Sequence, residues 1–474
     1  MPALLSSSSI TILWFGREGQ STYRFLVAQG YDPDYILVRD KNYDGILEYG
    51  GAIISGPGYL QWIEDDHCIF RAPGITTNML AAQGVDIDRV RQKLTSQTEY
   101  FLKHYQGTVI WVTGTKGKST ASTMIMQMLR DAGRSVVLGG NVGKPIFDLI
   151  DFDHAPDYVV YELSSYMLES LNQSDWMIDY GMITSLFPHV HVKEHGSQEA
   201  YISAKMEMIS HSRSCLIGSQ ALLEIKNATF KSQNCSVFWN AQEIASYIPS
   251  RGFPFWRAKT KDANTDNLLP VVYKNGYFRQ GEQKLFETSC VQLLWEHNLY
   301  NICGVIAIGL TLGIEKESIQ TTISHFHGLE HRLEFVGTYW WIDRYNDAIA
   351  TTPDATLAAI KSFGERLWTL FLGWIEGPYQ FHEVVETCNL YKLSTVILFP
   401  DTGARIKELL QTSWFQGHIF DAMTMDEAVD IAFHSTPKGK VALLSCGSPS
   451  FSLWKWFEEK WWLYKQAILE KSKG

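Results

Sequence analysis

The sequence predicts an α/β protein made of three consecutive modules, each with a mostly parallel sheet. Three observations predict it. Short apolar runs bounded by Gly and Pro alternate with segments of helical periodicity along the whole chain. The chain has 474 residues, which at roughly 150 residues per domain corresponds to about three domains. A glycine-rich turn at 114–117 stands directly between an apolar strand and a helical segment. Composition is 45% hydrophobic and 19% charged, which excludes a disordered or low-complexity chain.

The first module, 1–105, opens with the strand ITILWF (10–15), the turn GREGQS and a helical stretch ending at Gly30. A second strand, YILVRD, ends at Asp40, and GAIISGPG and CIFRAPGI read as two more strands closed by Pro-Gly turns. RVRQKLTSQTEYFLKHYQ (89–106) reads as one helix. The second module, 106–325, has strands in TVIWVTG, SVVLGG, YVVYELSS and YGMITSL; KSQNCSVF (231–238) and VVYKNGYFRQGEQKLF (271–286) read as hairpins. The third, 326–474, places strands at YWWID, LWTLFLG, TVILFP and VALLS, with helices between them. The Trp-rich C-terminal stretch 452–471 is amphipathic but not strongly basic, so it reads as a helix docked on its own module rather than on a membrane surface.

Charge narrows the function classes. The chain carries 41 Lys+Arg against 51 Asp+Glu, a formal net charge of −10. Such a balance disfavours non-specific binding of nucleic acid or anionic membrane, and no nucleic-acid partner is expected. No apolar stretch is long enough for a membrane span, and the N-terminus lacks the basic start of a signal peptide. The 7 cysteines form no C-x-x-C pair, so a reducing, cytoplasmic setting without structural disulfides is expected.

The strongest local signal is VIWVTGTKGKST (109–120). Strand, glycine-rich turn and helix start together form an anion cradle, because backbone N–H groups and the helix dipole point at one place. Gly114, Thr115, Lys116, Gly117, Lys118, Ser119 and Thr120 are the candidate phosphate ligands. Lys118 can reach the terminal phosphates, and Ser119 or Thr120 can ligate Mg²⁺. The competing reading is a lysine-bearing surface turn. The spacing also departs from the ordinary P-loop, whose first glycine falls here on Val112.

The shorter form, TGTKGKST, resembles the superfamily of Mur ligases and folylpolyglutamate synthases, which form amide bonds with ATP. Further segments follow in that family's order. GGNVGKP (139–145) resembles a segment that contacts the nucleotide-sugar substrate, through Asn141. YELSSYMLE (161–169) resembles the segment whose glutamate, Glu162 here, ligates Mg²⁺. ITSLFPHVHVKEHGSQEAYISAK (183–205) resembles the region that supplies a histidine and a carbamylated lysine to the metal site. His191 and His195 align with H-x-x-x-H and Lys205 with the lysine, while His189 is a rival for the role of His191. HNLYN (297–301) implies Asn298 near ATP. GLEHRLEFV (328–336) implies Arg332 as a phosphate contact, and NDAIATTPDAT (346–356) implies Asp347 as a ribose or metal-water contact. LLSCGSPSFSLWKWF (443–457) resembles the closing segment.

The resemblance implies a Rossmann-like nucleotide-sugar domain, a central P-loop ATPase-like domain and a Rossmann-like C-terminal domain for the amino acid. FGREGQS (15–21) is similar to the turn that holds uridine diphosphate in the glutamate-adding type, with Gly16 and Gly19 letting backbone approach the ligand. Asp40 is either a nucleotide contact or a cap. The implied substrates are UDP-N-acetylmuramoyl-L-alanine and glutamate, with ATP and Mg²⁺, acting in peptidoglycan precursor synthesis, and a monomer is expected. The amino-acid site departs from the family. Ile349 stands where a lysine is usual, and the loop LGWIEGPYQF (372–381) has none. Thr351, Ser450, Ser448 or Arg344 would have to compensate, and D- and L-glutamate both remain open. A different Mur-type or folylpolyglutamate-type ligase is one alternative. A nucleotide-gated binding protein, with ATP hydrolysis indifferent to amino acids, is another.

Overall fold

β1 (Ile10–Leu13), β2 (Ile36–Asp40), β3 (Ala52–Ser55), β4 (Cys68–Arg71) and β5 (Leu94–Thr95) form a parallel sheet in the order β3-β2-β1-β4-β5. All of β1 is buried, as expected of a parallel strand covered on both faces. The structure is a computed structural model that describes residues 9–141, 144–169, 171, 177–187, 197–227, 255–258, 271–293, 296–375, 379–448 and 457–472. Helix α1 (Arg17–Ala28) follows β1. The single helix expected over 89–106 is broken. Leu94 pairs with Ile69 as the fifth strand, and the Ser96 side chain accepts from Glu99 N to start a new helix, α2 (Gln97–His104).

A buried ion pair sits in this sheet. Arg39 Nε and a terminal nitrogen donate to the two oxygens of Asp66 at 2.7 and 3.0 Å. The remaining Arg39 nitrogen donates to the carbonyls of Tyr59 and Gln61, and Thr11 Oγ1 also donates to Asp66. Every charged atom is thus satisfied, the condition under which a buried pair is tolerated.

The second sheet contains β6 (Thr108–Thr113), β7 (Val136–Gly140), β8 (Tyr158–Glu162), β9 (Ile178–Ile183), β10 (Ser212–Gly218), β11 (Phe255–Ala258), β12 (Val271–Lys274), β13 (Tyr277–Gln280) and β14 (Gln283–Glu287). Strands β7-β8-β6-β9-β10 run parallel, and β11 to β14 extend the sheet antiparallel. The hairpin expected at 271–286 is present, turning at Asn275-Gly276 with φ of 52° and 75°. The one expected at 231–238 lies outside the described residues. Helices α3 (Lys118–Asp131), α4 (Gln198–Ser210), α5 (Glu296–Thr311) and α6 (Lys316–His325) belong to this part.

The first two sheets share one core. Phe25 of α1 stacks on Phe147 at 4.0 Å between centroids, Tyr100 of α2 packs edge-on against both rings, and Arg24 pairs with Asp148 at 3.1 Å. The chain accordingly forms two compact bodies, the first reaching Val291 and resuming over Glu296–His325, the second made of Gln292–Trp295 and the chain from Phe326 on.

The second body has β15 (Glu334–Tyr339), β16 (Ile342–Asn346), β17 (Leu367–Leu372), β18 (Thr395–Leu398), β19 (His418–Asp421) and β20 (Val441–Leu444), ordered β15-β16-β20-β17-β18-β19. Only β15–β16 is antiparallel. YWWID, expected as one strand, is instead a hairpin turn at Trp340-Trp341, φ 56° and 64°, that admits β15 to the sheet. Helices α7 (Pro353–Phe363), α8 (His382–Leu390) and α9 (Thr402–Thr412) cover one face, and α10 (Met425–Ser435) and α11 (Phe457–Ser472) cover the other. Tyr464, Ala467 and Ile468 bury α11 on its own body. The six described cysteines are free, and Cys235 lies outside the described residues. No helix among the described residues is long and apolar enough to cross a membrane.

Asp66→Ala would leave the Arg39 guanidinium buried without its partner. We expect it to destabilise the first body by about 3 kcal/mol, read as a lowered urea midpoint, with part of the loss recovered when Arg39→Met is added.

Candidate active site

The phosphate loop is shaped by two glycines. Gly114 has φ +148°, and a Cβ there would lie 2.0 Å from Thr184 Oγ1. Gly117 has φ +88°, and its Cβ would meet Asn301 Oδ1 at 2.4 Å. Neither position admits a side chain. The loop is strapped to the segment that leaves β9. Thr115 N donates to Ser185 O at 2.7 Å, Thr184 Oγ1 to Lys116 O at 2.6 Å, and Lys116 N to Ser185 Oγ at 3.0 Å. Thr115 Oγ1 and Tyr201 OH share a hydrogen bond at 2.7 Å.

Helix α3 starts at Lys118, and its N-cap Gly117 brings no side-chain acceptor. A helix start without such a cap leaves N–H donors for an anion. Lys118 Nζ lies over the loop, donating to Gly114 O at 3.0 Å and Thr115 O at 3.2 Å. Ser119 and Thr120 are buried in the first turn.

Glu162 ends β8 fully buried, with Asn141 Nδ2 donating to one oxygen at 2.9 Å and Ser122 Oγ to the other at 3.5 Å. Lys205 of α4 is 2% exposed, and its Nζ donates to Thr113 Oγ1 at 3.1 Å, while Thr113 Oγ1 donates on to Leu163 O. Burial and, next, the nearby Lys118 charge push the Lys205 pKa well below the ordinary lysine range, against the opposing pull of Glu162. Lys118, Glu162, Lys205 and Asn141 therefore face one locality. Asn298 and Asn301, both buried on α5, approach the loop from the other side through the contact at Gly117.

This locality suits a hard divalent cation. Ser119 offers a hydroxyl and Glu162 a carboxylate, and Mg²⁺ is commonly held by one or two such groups with phosphate and water completing its shell. No cluster of three or more His, Cys, Asp or Glu suited to a metal occurs among the described residues. His189, His191 and His195 lie outside the described residues. Thr113, Ser122, Tyr201 and Asn301 were not singled out from sequence. Asn301 had a signal, as the last letter of HNLYN; the other three are common residue types that only the fold brings to the loop.

At the carboxyl edge of the first sheet, Gly16 is the N-cap of α1, and Gly19 passes close to the Trp14 carbonyl. Asp40 accepts from Phe15 N at 2.7 Å, Asn42 N at 2.8 Å and Tyr43 N at 3.2 Å, which fastens this turn. In the second body, Asp347 is buried after β16. Ser445 Oγ and Leu333 N donate to it, and burial raises its pKa to about 7. Arg332 is exposed nearby, and its charge acts against that rise. Thr351 follows Ala350, whose carbonyl accepts from Gly447 N. Ser450 lies outside the described residues. Arg344 is fully buried, 5.5 Å from the Phe433 ring in the last turn of α10, so it points to the amino edge of the sheet, away from Thr351.

Residues 112–309 match the Mur ligase middle domain. The UDP-N-acetylmuramoyl-L-alanine--L-glutamate ligase of Xanthomonas axonopodis pv. citri (strain 306) is 27% identical over 468 residues, 94% of this chain and 92% of that protein. The UDP-N-acetylmuramoylalanine--D-glutamate ligase of Desulfitobacterium hafniense (strain DSM 10664 / DCB-2) is 27% identical over 483 residues, 98% of each chain. Among solved structures, the UDP-N-acetylmuramate-alanine ligase MurC of Thermotoga maritima superposes with a TM-score of 0.53 at 16% identity, covering 98% of this chain and 99% of that one. The MurF ligase of Thermotoga maritima in complex with ADP gives 0.50 at 15% identity, covering 99% of this chain and 98% of that one. The middle of the chain thus matches the Mur ligase middle domain, and the whole chain is similar in sequence and in α/β fold to Mur-type ligases.

Proposed function

We propose that the chain joins glutamate to UDP-N-acetylmuramoyl-L-alanine with ATP, a cytoplasmic step of peptidoglycan precursor synthesis. One observation carries the reading: the open start of α3, Lys118, Glu162 and the depressed amine of Lys205 converge in one locality. The names of its relatives, which include both L- and D-glutamate ligases, support the substrate pair.

The residues divide the work by charge. Backbone N–H groups of 114–120 and the Lys118 ammonium take the triphosphate. Ser119 and Glu162 would hold Mg²⁺, which when bound neutralises phosphate charge. Lys205, whose charged form burial disfavours, can offer an amine lone pair to CO₂. Forming the N–C bond releases a proton and leaves a carbamate, an oxygen donor that His191 would accompany at the metal. In the reaction, the alanyl carboxylate attacks the γ-phosphorus and the bond to the ADP oxygen breaks. The glutamate amine then attacks the acyl phosphate, phosphate leaves, and the amine gives up a proton as the amide forms. Positioning and charge neutralisation supply the catalysis. Asn298, Arg332 and Asp347 are assigned to the nucleotide, Gly16, Gly19, Asp40 and Asn141 to the nucleotide-sugar, and Thr351 and Ser450 to glutamate. The chain acts as a monomer.

Phosphate release is measured with UDP-N-acetylmuramoyl-L-alanine and ATP, adding D-glutamate, L-glutamate or meso-diaminopimelate. Release that depends on one glutamate isomer is the expected result. Slow hydrolysis indifferent to amino acids would sink the reading in favour of a nucleotide-gated binder. Lys118→Ala is expected to cut turnover by about 10³-fold, with an unchanged far-ultraviolet circular dichroism spectrum. Lys205→Ala should be inactive and regain part of its turnover with added short carboxylates. Full activity without them would disprove the carbamate.

A further inference from the structure

The second body has a topological switch. The chain leaves β16 and β17 for α7 and α8 on one face of the sheet, but leaves β20, which lies between them, for α11 on the other. Diverging connections open a crevice at the carboxyl ends of the strands, the usual ligand position of open α/β sheets. Trp374 follows β17 there, Ser448 follows β20, and Asp347 follows β16.

Lys460, in the first turns of α11, reaches this edge. It is 0% exposed, and its Nζ has no hydrogen-bond partner among the described residues. The Nζ lies 5.9 Å from the Trp374 ring, and its charge acts on Asp347 and Cys446. Asp347 makes no hydrogen bond with it and accepts instead from Ser445 Oγ and Leu333 N. Ser448 Oγ is likewise buried with no partner among the described residues. A buried ammonium without a counter-ion is costly unless a ligand brings one. Among the described residues Arg344 is also a buried cation without a hydrogen-bond partner, but it points to the opposite edge and does not compete for this place.

We propose that Lys460, assisted by Ser448, holds the side-chain carboxylate of the incoming amino acid at the crevice beside β20. This rests on the ligase reading above. It answers the charge deficit left by Ile349 and by the lysine-free loop 372–381. Trp374 confines the ammonium by covering it with an aromatic face.

The test compares glutamate with glutamine, which has the same shape and no charge, as acceptors in the phosphate-release assay on the full chain. Wild type is expected to prefer glutamate. Lys460→Met should lower kcat/KM for glutamate by about 100-fold and abolish the preference, because the site was built for a charge. The KM for ATP should stay within about twofold, and Lys460→Arg should keep the preference. If Lys460→Met does not fold, Lys460→Gln is scored by the same ratio. A variant that still prefers glutamate as strongly as wild type overturns the inference. A wild type that releases phosphate with no amino acid overturns the ligase reading and this inference together, and is told apart because no variant is needed to see it.

Discussion

The close passage of the phosphate loop against its neighbours is the constraint on which the rest depends. At Gly114 and Gly117 the backbone runs within contact of Thr184 and Asn301, and no Cβ fits between. That proximity lets the loop share hydrogen bonds with the exit of β9 and lets α3 begin where Lys118 lies over the loop carbonyls. It also brings β6 beside β8 and β9, so that Glu162 and Thr113, with Lys205 behind, arrive at the same strand ends. The chemistry is therefore a result of packing before it is one of residue type.

Much of this was legible because the loop is contiguous. Strand, glycines, lysine and helix start occupy one window, and each local preference agrees with the next. The parallel strands of the first two sheets were readable as apolar runs, since both of their faces are buried. What escaped were elements defined by pairing. β5 is two residues long, and β19 is an edge strand whose residues are mostly exposed. β15 leads into a turn made by two tryptophans at positive φ, a conformation that nothing in a Trp-Trp pair advertises. The break within 89–106 depended on Ser96 acting as a cap, which competes with a helical pattern running through it.

The two bodies handle buried charge differently. In the first, Arg39 and Asp66 satisfy each other and the surrounding carbonyls, so that pair belongs to the scaffold. In the second, Arg344 and Lys460 are buried with no acceptor among the described residues. Arg344 lies beside the last turn of α10, where the helix dipole is negative, and under the Phe433 ring. Lys460 has an aromatic face but sits at the strand ends. Sequence alone ranks these two cations alike, and their opposite directions along the sheet separate them.

The stacked rings of Phe25 and Phe147, edged by Tyr100, have a mechanical meaning. They join the last turn of α1 to the body that carries α3, so the Gly16 turn and Lys118 belong to one packed unit. On the function proposed above, a substrate held at the Gly16 turn and at Lys118 would be measured by its length. One shorter or longer would have to prise apart an aromatic seam to be accepted, whatever chemical groups it carried at either end.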